Sequence, residues 1–119
     1  MANEIRIQPV SPDVYVAGQL GPEAMAWAAA QGFKSVVNNR PDFEGGPDQP
    51  TDAAIEAAAR AAGLAYAFVP VASGYQSPEE IARFADLLAT MPRPLLAFCR
   101  SGARSARLFM AASAELASR

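Results

Sequence analysis

From about residue 14 to its end, the chain alternates short apolar runs with alanine-rich segments, and glycine or proline marks most of the boundaries. "DVYVAG" (13–18), "FKSVVNN" (33–39), "LAYAFVPV" (64–71) and "RPLLAF" (93–98) read as strands, as does an earlier run, "EIRI" (4–7). Four segments between and after them read as helices. "GPEAMAWAAAQG" has Pro22 at its start and Gly32 at its stop, and "TDAAIEAAARAAG" has Thr51 as cap and Gly63 as terminator. "SPEEIARFADLLAT" opens with the capping pair Ser77 and Glu80, and places Ile81, Phe84 and Leu88 on one face. "SARLFMAASAELAS" (105–118) sets Phe109, Ala112 and Leu116 on one side, and Trp27 of the first helix is expected in the core. Such alternation predicts an α/β fold, a three-layer sandwich in which helices cover both faces of a mostly parallel central sheet.

With 119 residues the chain is long enough for one domain, expected over 1–119. A net charge of −2 with a single lysine, Lys34, argues against general nucleic-acid binding, which needs many phosphate contacts. No apolar run approaches a bilayer span, and "MANEIRIQPV" lacks a signal-peptide core, so no membrane partner and a cytoplasmic location are expected. One cysteine cannot close an internal disulfide, in keeping with a reducing compartment. The absence of histidine excludes Cys-His and Ser-His-Asp catalysis within the chain. With one soft ligand, no metal site and no cofactor are expected.

In parallel α/β folds ligands sit beyond the carboxyl ends of the strands. Three loops should meet there: "NNRPD" (38–42), "ASGYQ" (72–76) and "CRSGAR" (99–104). The last of these leads from strand into helix, so its N–H groups can converge on an anion at the positive end of the helix dipole. Gly102 permits the curvature, and Ser101 and Ala103 leave the rim uncrowded. Cys99 at its head should be held as thiolate, and Arg104 should grip an anionic substrate with its planar fork. Arg100 is expected at the mouth, Ser105 beside the anion, and Asn39 and Arg40 on a second wall. Ser73 and Tyr75 are candidates for the lining, although a loop tyrosine is more often only packing. The competing account of Cys99 is a small buried apolar residue flanked by solvated arginines.

"CRSGARS" resembles the active-site loop of single-domain rhodaneses, sulfurtransferases that carry sulfur as a cysteine persulfide. Cysteine-dependent phosphatases use a related loop with one residue more; here four residues separate Cys99 from Arg104. "SPDVYVAGQL", "GFKSVVNNRPD", "AGLAYAFVPV" and "CRSGARS" together are similar to a narrower family spanning about residues 10 to 112. It is the phosphatase-like domain found alone or fused to a metallo-β-lactamase-fold sulfur dioxygenase in β-lactamase hydrolase-like proteins. The resemblance implies a cysteine-phosphatase-like or rhodanese-like fold. It also implies a sulfurtransferase moving sulfane sulfur from thiosulfate or glutathione persulfide through Cys99 to a thiol, sulfite or cyanide. A sulfur dioxygenase is the implied partner. The dual-specificity phosphatase pattern has an aspartate after the strand here written "YAFVPV", where this chain has "ASGYQS". The alternatives are a phosphatase, with Asp42 the best remaining acid, and a non-catalytic anion-binding domain.

Overall fold

Val36 and Val37 are neighbours in sequence and both fully buried, which requires a strand covered on both faces. The computed structural model describes residues 5–119. Nine elements follow in order: β1 (Ile7–Ser11), β2 (Val14–Ala17), α1 (Glu23–Ala30), β3 (Ser35–Asn38), α2 (Asp52–Ala61), β4 (Ala65–Phe68), α3 (Pro78–Thr90), β5 (Leu95–Phe98) and α4 (Ala103–Ala117). The sheet order is β1-β2-β5-β3-β4. β1 runs antiparallel to β2 at one edge, and the remaining pairs are parallel. The expected three-layer α/β sandwich is therefore the observed architecture.

Side-chain alternation divides the core in two. Val36, Leu96 and Phe98 face α1 and α2, where they meet Met25, Ala28, Ile55 and Ala59. Val37, Leu95 and Ala97 face α3 and α4, where they meet Phe84, Leu88, Leu108 and Ala112. β5 sits between β2 and β3, so its carboxyl end is central among the strand ends. Trp27 packs on the first cluster only partly buried.

Most of the expected punctuation is present. Thr51 Oγ1 accepts from the Ala54 amide at 3.2 Å. Ser77 and Glu80 form a reciprocal capping box, with bonds of 3.1 and 2.8 Å. The strands are up to three residues shorter at an end than the apolar runs, β4 for instance stopping at Phe68 rather than Val71, and two other boundaries differ for a visible reason. The first strand covers Ile7–Ser11 rather than 4–7, because it forms a hairpin that pairs Ile7 with Ala17; Glu4 lies outside the described residues. Pro9 is tolerated there because β1 is an edge strand. The last helix begins at Ala103, two residues before the expected Ser105, because Gly102 itself forms its left-handed N-cap with φ 95°. Among the described residues no helix is long and apolar enough to cross a membrane.

Candidate active site

Cys99 follows the last residue of β5, and its side chain is buried at 1% exposure. Its amide donates to Ala17 O of β2, which fixes where the chain turns out of the sheet. The Gly102 amide points back at Cys99 Sγ, 3.1 Å away. Amides of Ser101 and Ser105, and the Ser105 hydroxyl, also face the sulfur. Burial by itself pushes the thiol's pKa up, but the Ser105 contacts and the Ser101 and Gly102 amides outweigh it. The thiol is held below its ordinary value, as the sequence predicts. The Ser105 amide is available because the first N–H groups of a helix have no partner within it.

Gly102 is required by its backbone. Its φ of 95° strains other residues, whereas a Cβ there would meet the Ala17 carbonyl only at ordinary contact distance, 3.4 Å. A neighbouring glycine closes the loop from below: a Cβ on Gly18 would stand 3.1 Å from Arg100 O.

The second wall differs from expectation. Asn39 is fully buried. Its Nδ2 donates to Val69 O at 3.0 Å, and its Oδ1 accepts from Ser105 Oγ at 2.8 Å. Both ends of the amide are thus engaged inside the protein, and Asn39 ties β3 to α4 instead of presenting itself to a substrate. The Ser105 hydroxyl has one proton for two acceptors, Asn39 Oδ1 and the sulfur. The three amides, which face no such rivalry, are the steadier support. Ala103 also departs from expectation, since its amide turns to Ser101 Oγ at 3.4 Å.

Arg104 is buried, and its fork is occupied by Glu44. NH1 donates to Glu44 Oε2 at 3.0 Å and to Val71 O at 3.0 Å; NH2 donates to Glu44 Oε1 at 3.1 Å. Arg40 Nε reaches the same Oε1 at 2.8 Å, while Arg40 NH1 donates to Gln19 Oε1 at 3.0 Å. The expected bidentate grip on a substrate is therefore made on a carboxylate of the protein. Burial alone would raise the pKa of Glu44, but the bonds and charges of Arg104 and Arg40 bring it below the ordinary carboxylate value. Asp42 Oδ1 accepts from the Asp52 amide at 2.7 Å, at the start of α2, and Asp42 does not line the cleft that Arg100 and Arg104 border.

Arg40, Glu44, Gly45, Ser73, Arg100 and Arg104 line a cleft of about 470 Å³ above the cysteine loop. Ser101 and Gly102 open instead onto a second cleft of about 470 Å³, beside Arg6 and Ala17. Tyr75, 65% exposed, borders a smaller hollow with Arg104 and Arg107. A larger cleft, about 570 Å³, runs along Gly18–Gly21 and the start of α1, away from the cysteine. Sequence reasoning missed Glu44, Gln19 and the Val71 carbonyl. Glu44 stands four residues after Arg40, a spacing that hints at that pair, but nothing local signals its bond to Arg104 sixty residues on.

The family model for the phosphatase-like domain of beta-lactamase hydrolase-like proteins matches residues 6–116. A "Beta-lactamase hydrolase-like protein" of Xylella fastidiosa is 37% identical over 105 residues, 88% of this chain and 24% of that protein. The chain thus spans about a quarter of the length of this curated relative. Among solved structures, a candidate phosphatase of Neisseria meningitidis is 28% identical with a TM-score of 0.77, covering 85% of this chain and 71% of that one. A candidate phosphatase of Shewanella putrefaciens shares the fold at 19% identity and a TM-score of 0.80, covering 97% of this chain and 75% of that one. The family description and the Neisseria structure both carry the word phosphatase, the alternative in the sequence reading, and neither name mentions sulfur transfer.

Proposed function

The chain belongs to the phosphatase-like domain family of the beta-lactamase hydrolase-like proteins, and from that premise we propose that it is a cysteine-based enzyme carrying sulfane sulfur on Cys99. The observation behind sulfur rather than phosphate is the state of the nearby carboxylates. Hydrolysis of a phosphate ester needs an acid to protonate the leaving oxygen. Asp42 is bonded to the start of α2, and Glu44 is ion-paired to two arginines with its pKa lowered. Thiolate and sulfite leave readily as anions and need no such proton. The short loop agrees, since it has one residue fewer than the phosphatase loop and gathers three amides on a single sulfur atom.

Thiolate Cys99 attacks the outer sulfur of thiosulfate or of a small organic persulfide. A Cys99–S bond forms, the donor's S–S bond breaks, and sulfite or thiolate departs with the electron pair. An acceptor thiolate, sulfite or cyanide then takes the outer sulfur and returns Cys99 as thiolate. Loop amides stabilise charge on the reacting sulfurs, Arg100 draws anions to the mouth, and Arg104 adds positive charge from the same cleft. Asn39 and Ser105 position the loop. Service to a sulfur dioxygenase, on the same chain or a separate one, and a cytoplasmic setting belong to this proposal.

A second reading is favoured by the names of the relatives: hydrolysis of phosphate esters through a phosphocysteine. Intact-mass measurement after incubation with thiosulfate or glutathione persulfide separates the two. One sulfur added to the wild-type chain and none to Cys99→Ser is the expected result. Cys99-dependent hydrolysis of p-nitrophenyl phosphate without sulfur loading would replace the proposal with the phosphatase. A Cys99 inert to iodoacetamide as well would leave only anion binding.

A further inference from the structure

The cleft above the cysteine loop holds three guanidinium groups, from Arg40, Arg100 and Arg104, and one carboxylate, from Glu44. With Cys99 ionised, these groups leave one positive charge unbalanced. Without Glu44 the excess would be two. Glu44 is placed to set this balance: its carboxylate bridges two of the three arginines, and its side chain is only 24% exposed. Three of the five N–H groups of Arg104 are engaged, two of them by Glu44. We propose that Glu44 is a specificity-determining residue, a charge filter that lets singly charged anions reach Cys99 and disfavours doubly charged ones.

The physical basis is that Coulomb energy scales with the charge of the ligand, so a nearby carboxylate repels a dianion twice as strongly as a monoanion. In a partly enclosed cleft the penalty is screened less than at an open surface. The consequence concerns the donor and rests on the proposed sulfur chemistry. An organic persulfide presents a single charge at its reactive end, whereas thiosulfate and phosphate esters arrive as dianions. Glu44 thereby favours an organic persulfide. The filter itself is a property of binding and is measured without turnover, so a failure of sulfur transfer would leave it standing.

Sulfate and methyl sulfate differ by one charge at similar size and serve as probes. Their binding at neutral pH is measured by protection of Cys99 from iodoacetamide and by calorimetry, on the full chain. Glu44→Gln, nearly isosteric and able to keep one acceptor for Arg104, is expected to tighten sulfate on the order of tenfold and methyl sulfate about threefold. Asp48→Asn removes an equal charge from an exposed position on the same loop and should change neither. Equal tightening of both probes, or the same gain from Asp48→Asn, would overturn the filter. So would weaker binding of both in a Glu44→Gln protein of unchanged melting temperature, since Glu44 would then act only by holding Arg104. If Glu44→Gln does not fold, Arg40→Gln provides the complementary test. It removes one positive charge from the same cleft and should weaken sulfate more than methyl sulfate; equal weakening would sink the idea.

Discussion

Two loops meet at the site and are built in opposite ways. The cysteine loop, 99–104, is shaped largely by its own backbone: Gly102 turns left-handed, and amides of Ser101, Gly102 and Ser105 converge on Sγ. The 40–50 loop makes backbone turns of its own, at Pro41, Phe43 and Gly46, but is tied together and to its neighbours by side chains. Gln49 Oε1 accepts from the Gly45 amide at 2.7 Å, and its Nε2 donates to Pro41 O at 2.8 Å. Asp42 bonds the start of α2, and Glu44 bonds Arg104 on the other loop. The backbone-built loop holds the reactive atom, and the side-chain-built loop sets the charge above it. A backbone device is rigid and local; a side-chain device can be retuned one residue at a time.

Asn39→Ala tests that division with the largest expected effect. It leaves Val69 O and Ser105 Oγ without their buried partner, and should cost about 1–3 kcal/mol in urea unfolding. Iodoacetamide alkylation of Cys99 should slow as α4 loses its tie to β3; unchanged stability would remove Asn39 from the account. Gly102→Ala comes next, at about 1–2 kcal/mol for a left-handed alanine, with the alkylation pH profile moving to higher pH. An unmoved profile would mean that the loop curvature does not support the thiolate.

Gln49→Ala should cost roughly 1 kcal/mol and leave Cys99 alkylation unchanged, because its bonds stay within the 40–50 loop. A changed alkylation rate would break the contrast between the loops. The smallest effect is expected from Ser105→Ala, which removes one of several supports and should raise the inflection of the alkylation profile modestly. In the wild type that inflection should lie below 9.0, the ordinary thiol value for this group. The sign for stability follows from linkage. The folded pKa is lowered, so the stabilisation is complete above the unfolded value of 9.0 and is lost as pH falls through the folded value. Comparing urea midpoints across that window with those of Cys99→Ser checks it.

Much of the cysteine loop was legible because its signals are local. A single thiol after an apolar strand, a glycine three residues on and a helix directly following set the positions of Cys99, Gly102 and α4 within two residues. Asn39 and Arg104 lie beside the cysteine loop, but their polar groups are bonded to the protein rather than open to a substrate. Whether a buried amide meets a substrate or a serine depends on what α4 places opposite it. The fork of Arg104 could have met any anion, and the sequence does not reveal that Glu44 would be there first. The positive φ of Phe43, 64°, has no explanation in the contacts of that loop.

The sequence by itself determined the layer order, the two-sided burial of the strands and the identity of the nucleophile. These follow from the period of apolar side chains and from a cysteine that stands alone. Only the tertiary structure decided the charge balance over that nucleophile and the supports beneath it. Those contacts join residues 60 and 66 positions apart, and their partners are chosen by how strands and helices pack rather than by any neighbour in the chain.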